Sequence, residues 1–81
     1  MQARIFVTPR KGILDPQGRA VEGALHSLGI EGVGSVHVGR YIVIELGRLS
    51  RDDAEAKVRR MCDELLANPN IEDYRFEVDA E

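Results

Sequence analysis

Tryptophan is absent from this 81-residue sequence, and two tyrosines with two phenylalanines are its whole aromatic content. That poverty removes the stacked aromatic platform on which RNA-binding sheets of small α/β domains rely. A single cysteine cannot close an internal disulfide, so no covalent staple holds the fold, and a reducing cytoplasm is the expected location. No apolar run approaches the ~18–20 residues of a membrane span. No signal peptide is visible either, because the N-terminus enters alternating, strand-like sequence at once. Basic residues are in the minority, with 11 Lys and Arg against 14 Asp and Glu for a net charge of −3. This balance speaks against a dedicated nucleic-acid binder. What is present is ordinary for a globule: 43% hydrophobic and 31% charged residues, too apolar for a disordered segment. The length fits one domain, residues 1–81, but a chain this short buries only roughly 60–65% of its unfolded surface. A thin core invites a partner.

Hydrophobic period sets the expected elements. Ala3, Ile5 and Val7 alternate with Arg4, Phe6 and Thr8 in a first strand that Pro9 ends. Asp15-Pro16 announces a helix, the aspartate as cap and the proline at the first helical position. Ala20, Val21, Ala24, Leu25 and Leu28 form its apolar stripe, and Gly29 closes it. Period two returns with Val36 and Val38, then with Ile42, Ile44 and Leu46. Gly39-Arg40 between them fits a tight hairpin turn, a bent strand being the other reading. Ser50 caps a second helix whose stripe is Ala54, Val58, Met61, Cys62, Leu65 and Leu66, stopped by Asn68-Pro69. A last strand near Glu72 to Asp79 alternates Tyr74, Phe76 and Val78 with Arg75, Glu77 and Asp79.

The expected fold class is therefore α+β. The order strand, helix, strand, strand, helix, strand is that of a ferredoxin-like βαββαβ sandwich, an antiparallel sheet with both helices on one face. Its other face carries Phe6, Tyr41 and Val43, which makes these three the candidates for an oligomer interface.

Catalytic chemistry finds no constellation in the residues. Cys62 lies within an apolar stripe, where a thiol packs rather than reacts. His26 and His37 stand apart from any cluster with metal-ligand spacing, so no metal site is expected. The glycines at 29, 32, 34 and 39 lead from a helix into a strand, the reverse of a dinucleotide-binding loop. Two patches stand out. Lys11 to Gly18 joins a cationic loop to a helix start, and Leu65 to Tyr74 crowds polar side chains around a helix stop.

On those two patches the chain resembles the PurS family, the small subunit of formylglycinamide ribonucleotide amidotransferase (phosphoribosylformylglycinamidine synthase). The family's lysine–glycine–aliphatic–leucine–aspartate–proline–glutamine–glycine segment stands at Lys11–Gly18. Its methionine–cysteine, double-leucine and asparagine–proline run is matched by Met61-Cys62, Leu65-Leu66 and Asn68-Pro69, and its acid-then-tyrosine ending by Glu72 and Tyr74. The resemblance covers essentially the whole chain. Arg40 departs from it, standing after Gly39 where the family has lysine.

The resemblance implies a PurS-like fold and a non-catalytic subunit of an ATP-dependent carbon–nitrogen ligase of purine biosynthesis. It implies partners PurL, the synthetase, and PurQ, the glutaminase, with self-association to a dimer or tetramer. It also implies no cofactor in this chain, ATP and Mg in the complex, and no activity from the chain alone. Lys11, Asp15, Gln17, Arg40, Asn68, Glu72 and Tyr74 become the candidates for partner contacts. Asp15 and Asn68 also have purely structural readings, as helix cap and helix stop. The rival from another class is a small-molecule-binding regulatory domain of the same element order, with its ligand near Gly29–Gly34. Such a domain would be stabilised by free amino acids or nucleotides without any protein partner.

Overall fold

Alternating apolar residues at Ala3, Ile5 and Val7 make the first strand the natural centre of a sheet, and the computed structural model of the chain places it there. Residues 1–79 are described; residues 80 and 81, the end of the expected domain, lie outside the described residues. The elements are β1 (Gln2–Pro9), α1 (Pro16–Ser27), β2 (Arg40–Glu45), α2 (Arg51–Met61) and β3 (Glu72–Asp79). The sheet order is β2-β1-β3. Both pairings are antiparallel, with Ile5 opposite Ile42 on one side and Phe76 on the other.

The α+β class and the antiparallel sheet stand as expected, with one strand fewer than the sequence predicts. Val36 and Val38 belong to no strand, and the described sheet has three. The three that form keep the ferredoxin-like neighbours of the central strand, without the edge strand. Gly39-Arg40 is no hairpin turn, because Gly39 lacks the positive φ that such a turn requires. Its glycine answers a different demand: a Cβ there would lie 2.2 Å from the Val7 carbonyl oxygen. Without a turn, residues 33–39 have no ladder partner among the described residues.

One face of the sheet is covered. Ala3, Ile5 and Val7 of β1 and Val78 of β3 are buried with Ala54, Val58 and Cys62 of α2. Ser50 caps α2 by accepting from the Asp53 amide at 3.1 Å. The helix runs on into a π turn, Cys62–Leu66, in which the Ala67 amide donates to the Cys62 carbonyl at 3.1 Å. The wider turn keeps Cys62 and Leu66 on the core side and swings Leu65 outward to 81% exposure. Leu65 thus leaves the stripe assigned to it from a uniform helical period.

The expectation of two helices on that face is corrected. Among the described residues α2 packs against the sheet, on the side of β3, and α1 makes no comparable contact with any strand. Helix α1 projects, with Val21 and Leu28 exposed. The chain measures 49 × 27 × 15 Å with a radius of gyration of 16.1 Å, against about 12 Å for a compact domain of this length.

Candidate assembly surface

Two groups of the predicted site residues sit at one end of the sheet, where β1 ends and β2 and β3 begin. The first is a polar bracket across the end of β1. Arg40 donates to both carboxylate oxygens of Glu72 at 2.8 and 3.0 Å. Glu72 also accepts from the Asn68 amide at 2.8 Å. Asn68 shapes the turn itself, taking the Asn70 amide on its side chain at 3.1 Å and the Glu72 amide on its carbonyl at 2.7 Å. Arg10, which the sequence did not single out, pairs with Asp73 at 3.3 Å, and its backbone amide donates to the Ile71 carbonyl at 2.8 Å. Tyr74 donates to Asp63 at 2.7 Å. That bond and the phenol's partial burial hold its pKa above the ordinary value. Between these groups lies a cleft of about 230 Å³ lined by Arg10, Cys62, Asp63, Pro69, Glu72 and Tyr74. Cys62 forms its floor as a buried thiol whose pKa burial raises, a packing cysteine rather than a nucleophile.

The second group surrounds the start of α1. Asp15 Oδ1 accepts from the Gly18 amide at 3.0 Å and Oδ2 from the Val38 amide at 2.9 Å. These two bonds, Gly18 first, pull the carboxyl below its ordinary pKa, and His37 at 3.9 Å adds to the effect. Gly18 is buried, and a Cβ on it would lie 2.0 Å from the Val36 carbonyl oxygen. At the far end of α1, His26 Nε2 lies 3.3 Å from the Val33 carbonyl oxygen. Residues 33–38 therefore run back along α1, tied to it in antiparallel order. Lys11 and Gln17 flank this group and are exposed.

The outer face of the sheet is divided. Phe6 is held between the Tyr41 ring, 5.0 Å away, and the Arg75 guanidinium, 3.9 Å above its centroid. Tyr41 and Val43 remain open beside it. The β3 half is ionic, with Arg4 bridging Glu77 and Asp79 at 2.7 Å each. Thus the structure gathers Arg40, Asn68, Glu72 and Tyr74 into one region, keeps Asp15 with Lys11 and Gln17 at α1, and puts Phe6, Tyr41 and Val43 together on the outer face. What the sequence missed are the cross-chain partners, Arg10, Asp63, Asp73 and Val38. Of these, only Arg10 and Asp73 carried a signal, Arg10 as a charge bordering the first patch and Asp73 as a charge within the second.

Beside this surface of polar brackets and uncovered apolar faces, the sequence itself matches a known family along nearly the whole chain. The family model PurS, described as phosphoribosylformylglycinamidine (FGAM) synthase, matches residues 2–80. This chain belongs to the PurS family. It is 46% identical over 77 residues to the PurS subunit of phosphoribosylformylglycinamidine synthase from Synechocystis, covering 95% of this chain and 77% of that one. The Bacillus subtilis PurS subunit is 41% identical over 78 residues, covering 96% and 92%. Among solved structures, Bacillus subtilis PurS superposes with a TM-score of 0.86 at 40% identity, covering 98% of each chain. A chain in the structure of PurLQS from Thermotoga maritima superposes with a TM-score of 0.84 at 29% identity, covering 94% of this PurS-family chain and 93% of that one. Among the described residues no helix is long and apolar enough to cross a membrane.

Proposed function

We propose that this chain is the assembly subunit of phosphoribosylformylglycinamidine synthase, pairing with itself and bridging PurL and PurQ. In this reading PurQ releases ammonia from glutamine and PurL activates the amide oxygen of formylglycinamide ribonucleotide with ATP. Ammonia then displaces phosphate to give the amidine. The observation that carries the reading is the likeness over nearly full length to a chain of PurLQS. In this reading ATP and its Mg are bound by the synthetase.

Self-association would cover two incomplete apolar surfaces at once. Helix α1 carries an apolar stripe with no sheet beneath it, and Ile42 and Ile44 of β2 are only partly covered. Each lacks what the other offers, and one chain does not bring them together. Two copies related by a two-fold axis can supply both contacts at once. Lys11, Gln17, Arg40 and the Asn68–Tyr74 bracket then remain as polar surface for PurL and PurQ.

Reconstitution with the matching PurL and PurQ tests the bridge. Glutamine-dependent formation of formylglycinamidine ribonucleotide is expected to require this chain, while ammonia-dependent synthesis by PurL is not. If neither reaction responds and no complex forms, the reading falls, and a thermal shift with amino acids or nucleotides alone would favour the regulatory domain.

A further inference from the structure

We propose that Asp15 is a two-sided clamp that fixes the direction of α1 relative to the sheet and thereby positions α1 for pairing with a second copy. The proposal rests on the self-association argued above. A helix cap needs one acceptor oxygen, yet Asp15 commits both. Oδ1 takes the Gly18 amide within the first turn of α1, and Oδ2 reaches 23 residues along the chain to the Val38 amide. Val38 lies two residues before β2 begins. The side chain is only 10% exposed, so the carboxylate is held between the two elements rather than solvated.

The surrounding contacts converge on the same joint. Gly18 lets α1 approach the Val36 carbonyl more closely than any side chain allows, and Gly39 does the same for β2 against Val7. Since α1 has no packed face on its own sheet, its angle depends on this joint and on the tie from His26 to Val33. With Asp15 fixing its start and only the exposed His26–Val33 contact bracing its far end, α1 is a lever, and loosening at Asp15 shifts Leu28 the most.

The chemistry of the clamp is specific. Aspartate alone presents two acceptors at this reach. Asparagine would turn an NH₂ toward one of the amides, and serine supplies a single oxygen, sufficient to cap α1 but not to hold Val38. The test uses the full chain as wild type, D15S and D15N. Sedimentation velocity reads association, and NMR residual dipolar couplings read the direction of the α1 amides against those of β1, β2 and β3. D15S is expected to keep α1 helical and the sheet resonances in place. Its α1 couplings should average, and its association should weaken by about tenfold, the loss of one charge-assisted hydrogen bond. D15N should behave likewise.

A D15S chain with wild-type couplings and wild-type association would overturn the clamp and leave Asp15 a simple cap. A wild-type chain that stays monomeric at all concentrations would sink self-association itself, and the couplings would then decide the clamp alone. Loss of sheet resonances in D15S would also overturn the proposal, because Asp15 would then be holding the core and not the helix direction.

Discussion

Helices α1 and α2 both begin with a side-chain cap and both carry an apolar stripe, yet they end in opposite environments. Ala54 and Val58 of α2, with Cys62 just after it, are completely buried, while Val21 of α1 and Leu28 at its C-terminal cap are 41% and 73% exposed. Amphipathicity made both segments helical, but it specified only that a face must be covered, not by what. For α2 the answer is the β1–β3 half of its own sheet. For α1 no equivalent surface exists within the described chain, so its stripe is a demand that another molecule must meet. The comparison separates a self-sufficient half from a half that depends on assembly.

The strongest way to break that contrast is to empty the self-sufficient half. Ile5 is completely buried at the centre of the sheet, and Ile5→Ala is expected to cost about 2–5 kcal/mol in denaturant unfolding at every protein concentration. A loss that vanished on dilution would mean that this core, too, is completed by association.

Acid should separate the halves next. The Asp15 carboxyl is depressed below 3.8 in the folded chain, first by the Gly18 amide and then by Val38 and His37. Its contribution is fully present above the unfolded value and is lost as pH falls through the depressed folded one. Amide exchange at Gly18 and Val38 should accelerate in that window before exchange in β1 does. Arg19 and Glu22 border the same hollow, so D15N is the control that should flatten the response. Simultaneous loss of protection in β1 would refute the separation.

A smaller effect concerns the bracket. Tyr74→Phe removes the hydroxyl that donates to Asp63, at a cost of roughly 0.5–1 kcal/mol for a bond on the protein surface. Thermal unfolding should show this small loss with the complex intact. Assembly that fails while stability holds would promote Tyr74 from a bracing residue to a direct contact.

The smallest expected change sharpens the other side. Val21→Ala should lie within about 0.5 kcal/mol in the dissociated chain, as surface substitutions do. Its effect on melting should grow with protein concentration, since a group buried only on association stabilises by mass action. A concentration-independent loss as large as that of Ile5→Ala would place α1 against its own sheet.

Much of the local structure was legible because its signals act over a few residues. Asp15 and Ser50 cap the helices that their positions imply, each accepting from an amide three residues on. The alternation of Tyr74, Phe76 and Val78 with Arg75, Glu77 and Asp79 sets the two faces of β3 as read. Three features escaped. Leu65 left the α2 stripe because a π turn breaks the uniform period. Val36 and Val38 alternate as a strand does, but a strand exists only where a neighbouring edge pairs with it. Gly39 was read for its freedom of φ, whereas its role is to admit the Val7 carbonyl. The candidate site divides in the same way. Lys11–Gly18 and Asn68–Tyr74 were marked by composition and family resemblance, but the reach of Asp15 to Val38 and of Arg40 to Glu72 crosses long stretches of chain.

By itself, then, the sequence determined where both helices begin, where the three strands that form lie, which faces are apolar, and which family the chain resembles. Caps, period and proline act through neighbours in the chain, and these are present before folding. Only the tertiary structure decided that α1 stands away from the sheet, that residues 33–39 join no strand among the described residues, and that one carboxylate joins the start of α1 to the approach to β2. Those outcomes depend on which surfaces meet across the chain, a competition settled by packing and backbone pairing between segments far apart in sequence.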